Sequence, residues 1–301
     1  MRKLPVFRSV GEVFSGVTRH FFQLILAAWP AVILIAVGGA LYVWAYREAG
    51  FGELIALMQS GASPEEMAAA MEAVDQGAMG PAYFAAVLLM FFASAVAAVR
   101  WHRFVLMGEH SGVLLRAEDL RYVWTFIKII LLYLLLILFG VLLLFGIQTI
   151  TEASINAGNS GVAGFFAIAG VVLVVVGYLY ILGILFRMML ALPDASIGNS
   201  AKVFGILSAS EGNTWRMVGY ALLIMLVFGL IGLVAALLIG TLATAIGGLF
   251  GTLLGAALGL AFYFYFLMAQ ITMLSVAYRE IVGLPGGHGG EATVAEPTPG
   301  L

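Results

Sequence analysis

The chain has 301 residues, of which 63% are hydrophobic and only 10% charged. A soluble domain carries about 25% charged residues, so there are too few here to coat one. The net charge of −2 supplies no basic field for nucleic acid, and the absence of cysteine removes disulfides and thiolate metal sites.

A helix that crosses a bilayer needs ~20 largely apolar residues. Six stretches qualify, at roughly residues 21–46, 81–99, 125–150, 164–186, 218–239 and 249–278. The predicted fold is therefore all-α, a polytopic bundle of six transmembrane helices in residues 21–282. An amphipathic elbow helix precedes it in residues 1–20, and a tail at residues 283–301, rich in Gly, Pro and Thr, is expected to be disordered. The first apolar run is too long for a cleavable signal peptide, and bulky Tyr42, Trp44 and Tyr46 close it where small residues would be needed. Tyr42, Trp44, Trp101, Tyr122 and Trp124 are expected to form interfacial belts.

Lys and Arg fall almost wholly on one side. Arg2, Lys3, Arg8 and Arg19 precede the first span; Arg100, Arg103, Arg116 and Arg121 lie between the second and third, with Lys128 just inside the third; Arg187, Lys202 and Arg216 lie between the fourth and fifth; and Arg279 closes the sixth. By the positive-inside rule this places both termini of a multi-pass protein on the cytoplasmic side. The loop at residues 47–79 is then periplasmic. Within it, Ser63, Pro64 and Glu66 read as an N-cap, a first-turn proline and a capping-box glutamate. Met67, Ala70, Met71 and Val74 follow on one face.

Three segments before the odd-numbered spans look alike. Val6, Val10, Val13, Phe14 and Val17 make one apolar stripe, with a capping box at Ser9 and Glu12. Leu120, Val123, Trp124 and Ile127 make a second, and Ala201, Phe204 and Leu207 a weaker third, before a turn at Ser210–Thr214. Arg187 precedes Leu192-Pro193 by the same offset that separates Arg279 from Leu284-Pro285, and Arg103 precedes Gly108-Glu109 more loosely. The reading is three repeats of an interfacial elbow helix plus a transmembrane hairpin.

Val6-Phe7-Arg8-Ser9-Val10-Gly11-Glu12-Val13-Phe14 and the stretch from Arg100 to Glu109 resemble bacterial six-helix inner-membrane proteins of unassigned function. Ser208 to Trp215 resembles the corresponding turn of the YciC-like families, and is similar to the membrane domain beside some glycerophosphodiester phosphodiesterases. The resemblance implies the architecture and no chemistry, since a phosphodiesterase domain is not part of this chain.

Gly247, Gly251, Gly255 and Gly259 recur every four residues, a spacing that lets helix backbones approach closely in lipid. Packing of the sixth span on a small face of the fifth (Gly232, Ala236, Gly240) is expected, with self-association as the alternative. Gln148, Gln270 and Thr272 read as interhelical hydrogen-bonding groups. Arg103, Arg187 and Arg279 occupy matching positions at the exits of three hairpins. If the units surround a threefold axis, their planar forks suit an anionic lipid headgroup; the plainer account is three interfacial anchors.

His102, Glu109 and His110 form the one cytoplasmic cluster with any catalytic flavour, and it lacks a partner motif. No metal or cofactor is expected. The function read from the sequence is a non-enzymatic accessory or scaffold in contact with membrane lipids, another membrane protein or a second copy of itself. A carrier or channel for a small or lipid-like substrate is the alternative.

Overall fold

The computed structural model describes residues 2–74, 80–109, 116–200 and 202–284, and every regular element among them is helical. In chain order these are α1 (Val6–Ala27), α2 (Trp29–Glu48), α3 (Phe51–Ser60), α4 (Pro64–Ala73), α5 (Gly80–Met107), α6 (Ala117–Asn156), α7 (Ser160–Met189), α8 (Ala191–Ser196), α9 (Val203–Ala209), α10 (Thr214–Ile246) and α11 (Gly248–Ile281). Six of them, α2, α5, α6, α7, α10 and α11, are long and apolar enough to cross a membrane. The protein is a multi-pass, all-α membrane bundle. At 1.5 Å per residue the 40 residues of α6 extend about 60 Å, twice the ~30 Å hydrocarbon core, so this helix projects beyond it.

The spanning helices pair as hairpins, α2 with α5, α6 with α7 and α10 with α11. The hairpins form a ring, closed through α5 on α6, α7 on α10 and α11 on α5. At the last junction the repeat is broken, because α11 packs chiefly on α1 and α5.

The elbow expected to end at residue 20 kinks at His20 (φ −110°, ψ 15°) and continues to Ala27. Pro30 then enters the first turn of α2, where its missing N–H costs nothing, whereas it could not lie within a continuous helix. Pro5 occupies the N-cap position of α1 in place of the expected Ser9, which is buried within the helix. The stripe of Val10, Val13 and Val17 faces the core of the bundle.

The second elbow is not a separate helix. It is the first turns of α6, and its stripe points outward: Leu120 is 71% exposed and Trp124 57%, while Asp119, Tyr122 and Thr125 are buried. In α9 likewise, Phe204 is exposed and Val203 and Ile206 are covered. Ala201 lies outside the described residues.

Beyond the turn at Ala49–Gly50 the chain forms α3, a helix that the sequence does not signal; glycines with positive φ, Gly50 (89°) and Gly61 (72°), bracket it. The expected capping box is present at the start of α4. Ser63 Oγ accepts the amide of Glu66, and the Glu66 carboxylate accepts the amide of Ser63 at 2.8 Å. Met67, Ala70 and Val74 are half-buried, while Met71 is exposed. The tail beyond Leu284, together with His110, Ser111, Pro285 and His288, lies outside the described residues.

Burial concentrates at the end of the bundle that carries α1, α8 and α9, here called the elbow end. In α6 no residue beyond Ile129 is buried, and in α10 none beyond Phe228. The outer halves of these hairpins present apolar side chains outward along most of their length.

Of the four-residue glycine series, two members make the expected close contact. A Cβ on Gly251 would collide with the carbonyl oxygen of Ala243, and one on Gly255 would sit 3.1 Å from Ala243 Cβ. Gly247 is the turn residue itself (φ 66°), and Gly259 has open space beside it. The facing groups are Ala243 and Ile239, rather than Ala236 and Gly240. The tightest approach between hairpins is made elsewhere: a Cβ on Gly183 would lie 2.7 Å from Thr214 Cγ2 and 3.0 Å from its carbonyl oxygen, where α7 crosses α10.

Candidate functional site: a polar knot at the elbow end

Arg100 and Asp119 form the centre of the knot. Their side chains are 2% and 3% exposed, with Arg100 Nη2 donating to Asp119 Oδ2 at 2.9 Å. The same oxygen accepts the amide of Arg116 at 2.7 Å, so one carboxylate both starts α6 and neutralises a cation on α5. Removing one partner of such a pair costs about 3–5 kcal/mol, since the other charge is left in a medium that cannot solvate it.

Trp101, expected at an interface, and His102 are fully buried, as is most of Tyr122. The Trp101 indole donates to the Leu24 carbonyl at 2.7 Å, fastening α5 to the end of α1. His102 Nδ1 lies 2.7 Å from Ser275 Oγ on α11, and its ring packs 5.7 Å from that of Tyr122. Tyr278 on α11 donates to Asp194 of α8 at 2.7 Å, and Asn199 donates to the same carboxylate at 2.8 Å.

The three matching arginines do matching work. Arg103, from the first hairpin, donates to the Ser196 carbonyl at 2.9 Å, beyond the second hairpin, and pairs with Glu109. Arg187, from the second, donates to Ser210 Oγ at 3.1 Å, to Thr214 Oγ1 at 2.9 Å and to the Leu207 carbonyl, all at the entrance to the third. Arg279, from the third, pairs with Glu12 of α1, at the entrance to the first. Each guanidinium thus reaches from its own hairpin to the next unit around the ring. Glu109 is also held by Arg116 at 3.1 Å; burial pushes its carboxyl upward, but the two guanidiniums outweigh that and keep it below its ordinary value.

The amino-terminal segment is tied to the turn before α10. Leu4 is completely buried; its amide donates to Asn213 Oδ1 at 2.9 Å and its carbonyl accepts from Arg216 at 2.9 Å. Asn213 Nδ2 donates to the Arg2 carbonyl at 3.0 Å. The sequence marked this turn without signalling its partner. Asp119 and Ser275 were likewise missed as network members. A carboxylate one turn into a helix reads as a surface dipole partner, and a serine in an apolar span as packing.

The cluster of His102, Glu109 and His110 is not assembled among the described residues: His102 faces Ser275, and Glu109 faces two arginines. Gln148 bonds Glu152 within its own helix, at 3.1 Å, rather than a neighbouring helix, and Thr272 Oγ1 is buried with no partner among the described residues. No group of three or more potential metal ligands occurs among the described residues. What this arrangement can do chemically is hold helices in register. Comparison of the chain with models of known families, with curated proteins and with solved structures finds no match.

Proposed function

We propose that the protein is a non-enzymatic accessory or scaffold of the bacterial inner membrane, with its elbow end in the cytoplasm, acting through contacts with lipids or membrane partners. One observation carries this reading. Where the three hairpins meet, fully covered Trp101, Leu190, Met217 and Tyr278 fill the elbow end, while the outer halves leave apolar flanks uncovered. A filled end with lateral apolar surface suits a body that docks sideways in the membrane. The positive-inside asymmetry supports the orientation. The likeness of the segments from Arg100 to Glu109 and from Ser208 to Trp215 to the YciC-like families belongs to the same proposal.

The rival reading, a carrier, draws on the open outer halves, which would admit a lipid-like substrate from the side. It requires the filled end to open in turn. Single cysteines in this cysteine-free chain separate the two. Ser60→Cys and Ser160→Cys should react with an impermeant thiol reagent added outside intact cells, whereas Ser200→Cys and Ser208→Cys, all four at exposed positions, should not. Ser275→Cys, completely buried, should stay unreactive from both sides. Labelling of Ser208→Cys from outside overturns the orientation, and labelling of Ser275→Cys from each side in turn establishes the carrier.

A further inference from the structure

We propose that a cleft between α6 and the start of α9 binds one anionic phospholipid, its phosphate held between the ammonium groups of Lys128 and Lys202. The proposal rests on the reading that the protein contacts lipid, and names where it does so. The cleft measures about 590 Å³, within the range of small-ligand sites. Lys128, Leu131 and Leu132 line one side; Lys202, Val203 and Phe204 line the other.

The cations at the centre of the elbow end are already engaged, whereas the two that line this cleft are not. Arg100, Arg103, Arg116 and Arg279 each have a carboxylate partner, and Arg187 has three acceptors of its own. Lys128 and Lys202 have no carboxylate within ion-pair distance among the described residues. Lys128 instead overhangs the exposed Trp124 ring, 5.5 Å from its centroid. A tryptophan so exposed on a spanning helix marks the headgroup level, which puts the ammonium at the depth of lipid phosphates. An ammonium in a cleft walled by Leu131, Leu132 and Val203 is costly without a counter-charge, and a second one across the cleft raises that cost. A phosphate diester between them relieves both.

The walls decide in favour of a lipid over a soluble phosphate. Leu131 lies one turn deeper than Lys128 and is 57% exposed, and Phe204 on the opposing elbow is 71% exposed. Both offer apolar surface next to the phosphate position, where the glycerol and first acyl carbons of a phospholipid would lie. A free phosphate ester would leave those side chains uncovered.

The test uses the full chain, purified and exchanged into nanodiscs of phosphatidylcholine with a minor fraction of phosphatidylglycerol, then released for native mass spectrometry. The parent should retain phosphatidylglycerol selectively. Lys128→Gln with Lys202→Gln should lower that retention about thirty-fold, because each ammonium near anionic lipid contributes a factor of about five. Lys3→Gln with Arg8→Gln, which removes the same charge from exposed positions, should leave it unchanged. Lys202→Gln alone, also at an exposed position, guards against misfolding of the double variant, and should show an intermediate loss. Excess glycerol 3-phosphate should not displace the lipid.

Equal retention by parent and double variant overturns the site, as does equal loss in the Lys3/Arg8 control, which would reveal unspecific charge attraction. Displacement by glycerol 3-phosphate overturns the lipid in favour of a soluble phosphate ester. If the parent retains neither lipid, the broader lipid-contact reading falls together with the site. Retention of phosphatidylcholine alone overturns only the site.

Discussion

The side-chain oxygen of Asn213 receives the backbone amide of Leu4 at 2.9 Å, joining residues 209 positions apart in the chain. The Asn213 amide donates in turn to the Arg2 carbonyl, so one side chain serves as both partners of a missing helical turn. Asn213→Leu fills similar volume but strands the Leu4 amide in a buried place, at a cost of about 1–3 kcal/mol. The expected result is rapid tryptic cleavage after Arg2, Lys3 and Arg8 in the variant under conditions where the parent resists. Equal cleavage rates would show that the segment is held by Arg216 alone.

Asp119→Ala should lower stability by about 3–5 kcal/mol, because Arg100 loses its carboxylate and α6 its first-turn acceptor. Arg100→Met with Asp119→Leu should recover part of that loss, since no charge is then left buried. Thermal unfolding in detergent, followed by tryptophan fluorescence of the enclosed Trp101, reads both. A double variant as unstable as the single one would mean that the capping of α6, and not the ion pair, dominates.

The arginine clasp makes a distinct prediction. Lysine keeps the charge of Arg187 but cannot reach Ser210, Thr214 and the Leu207 carbonyl together, and hydrogen bonds from a charged donor contribute about 1.5–3 kcal/mol each. Arg187→Lys should therefore lower the unfolding temperature while retention of anionic lipid stays at the parental level. A fall in lipid retention with unchanged unfolding temperature would return the arginines to the role of headgroup ligands.

At the outer turn, Gly251→Ala should destabilise the α10–α11 hairpin, because the added methyl meets the backbone carbonyl of Ala243, which cannot rotate away. The expected cost is about 1–3 kcal/mol, the range for overpacking. Gly259→Ala has open space and should be neutral or slightly stabilising, since alanine favours the helix. Equal unfolding temperatures for the two variants would show that the hairpin ends separate freely.

These contrasts show what was legible in the sequence. Lipid demands some twenty apolar residues per crossing, so the six spans could be read directly. Which face of an elbow points inward could not. Near the headgroups the outside of the protein is itself apolar, so the stripe of Leu120 and Trp124 gives the same pattern whether it faces core or lipid. Burial of Asp119 depended on Arg100, an ion partner 19 residues away, which no periodicity records. Trp101 and Tyr122 carried the composition of a belt, and only their packing against Leu24 and His102 removes them from it. The α3 helix was hidden because ten residues between two glycines satisfy loop and helix patterns alike.

The capping box of α4 gives a pH dependence. The backbone amide of Ser63, donating to the Glu66 carboxylate, holds that carboxyl below its ordinary value. A depressed folded value means that the cap contributes fully above the unfolded carboxylate pKa of about 4.3 and is lost as pH falls through the lower, folded value. Hydrogen-exchange protection of α4, corrected for intrinsic rates, should persist to pH values just below that range and then collapse. In Glu66→Ala it should be low throughout. Protection in the parent that does not change with acid would mean that packing on α3, rather than the cap, holds the helix.

Arg279 and Glu12 lie 267 residues apart, and their union closes the ring. During synthesis at ~5–20 residues per second, Glu12 therefore leaves the ribosome about 13–50 seconds before its partner exists. For that interval the valine face of α1 has no α11 to rest on, and the membrane surface is the available shelter. The first helix made is thus among the last to be fully seated, and a chain interrupted before α11 is complete leaves Glu12 without its ion partner and that part of the elbow open to quality-control proteases.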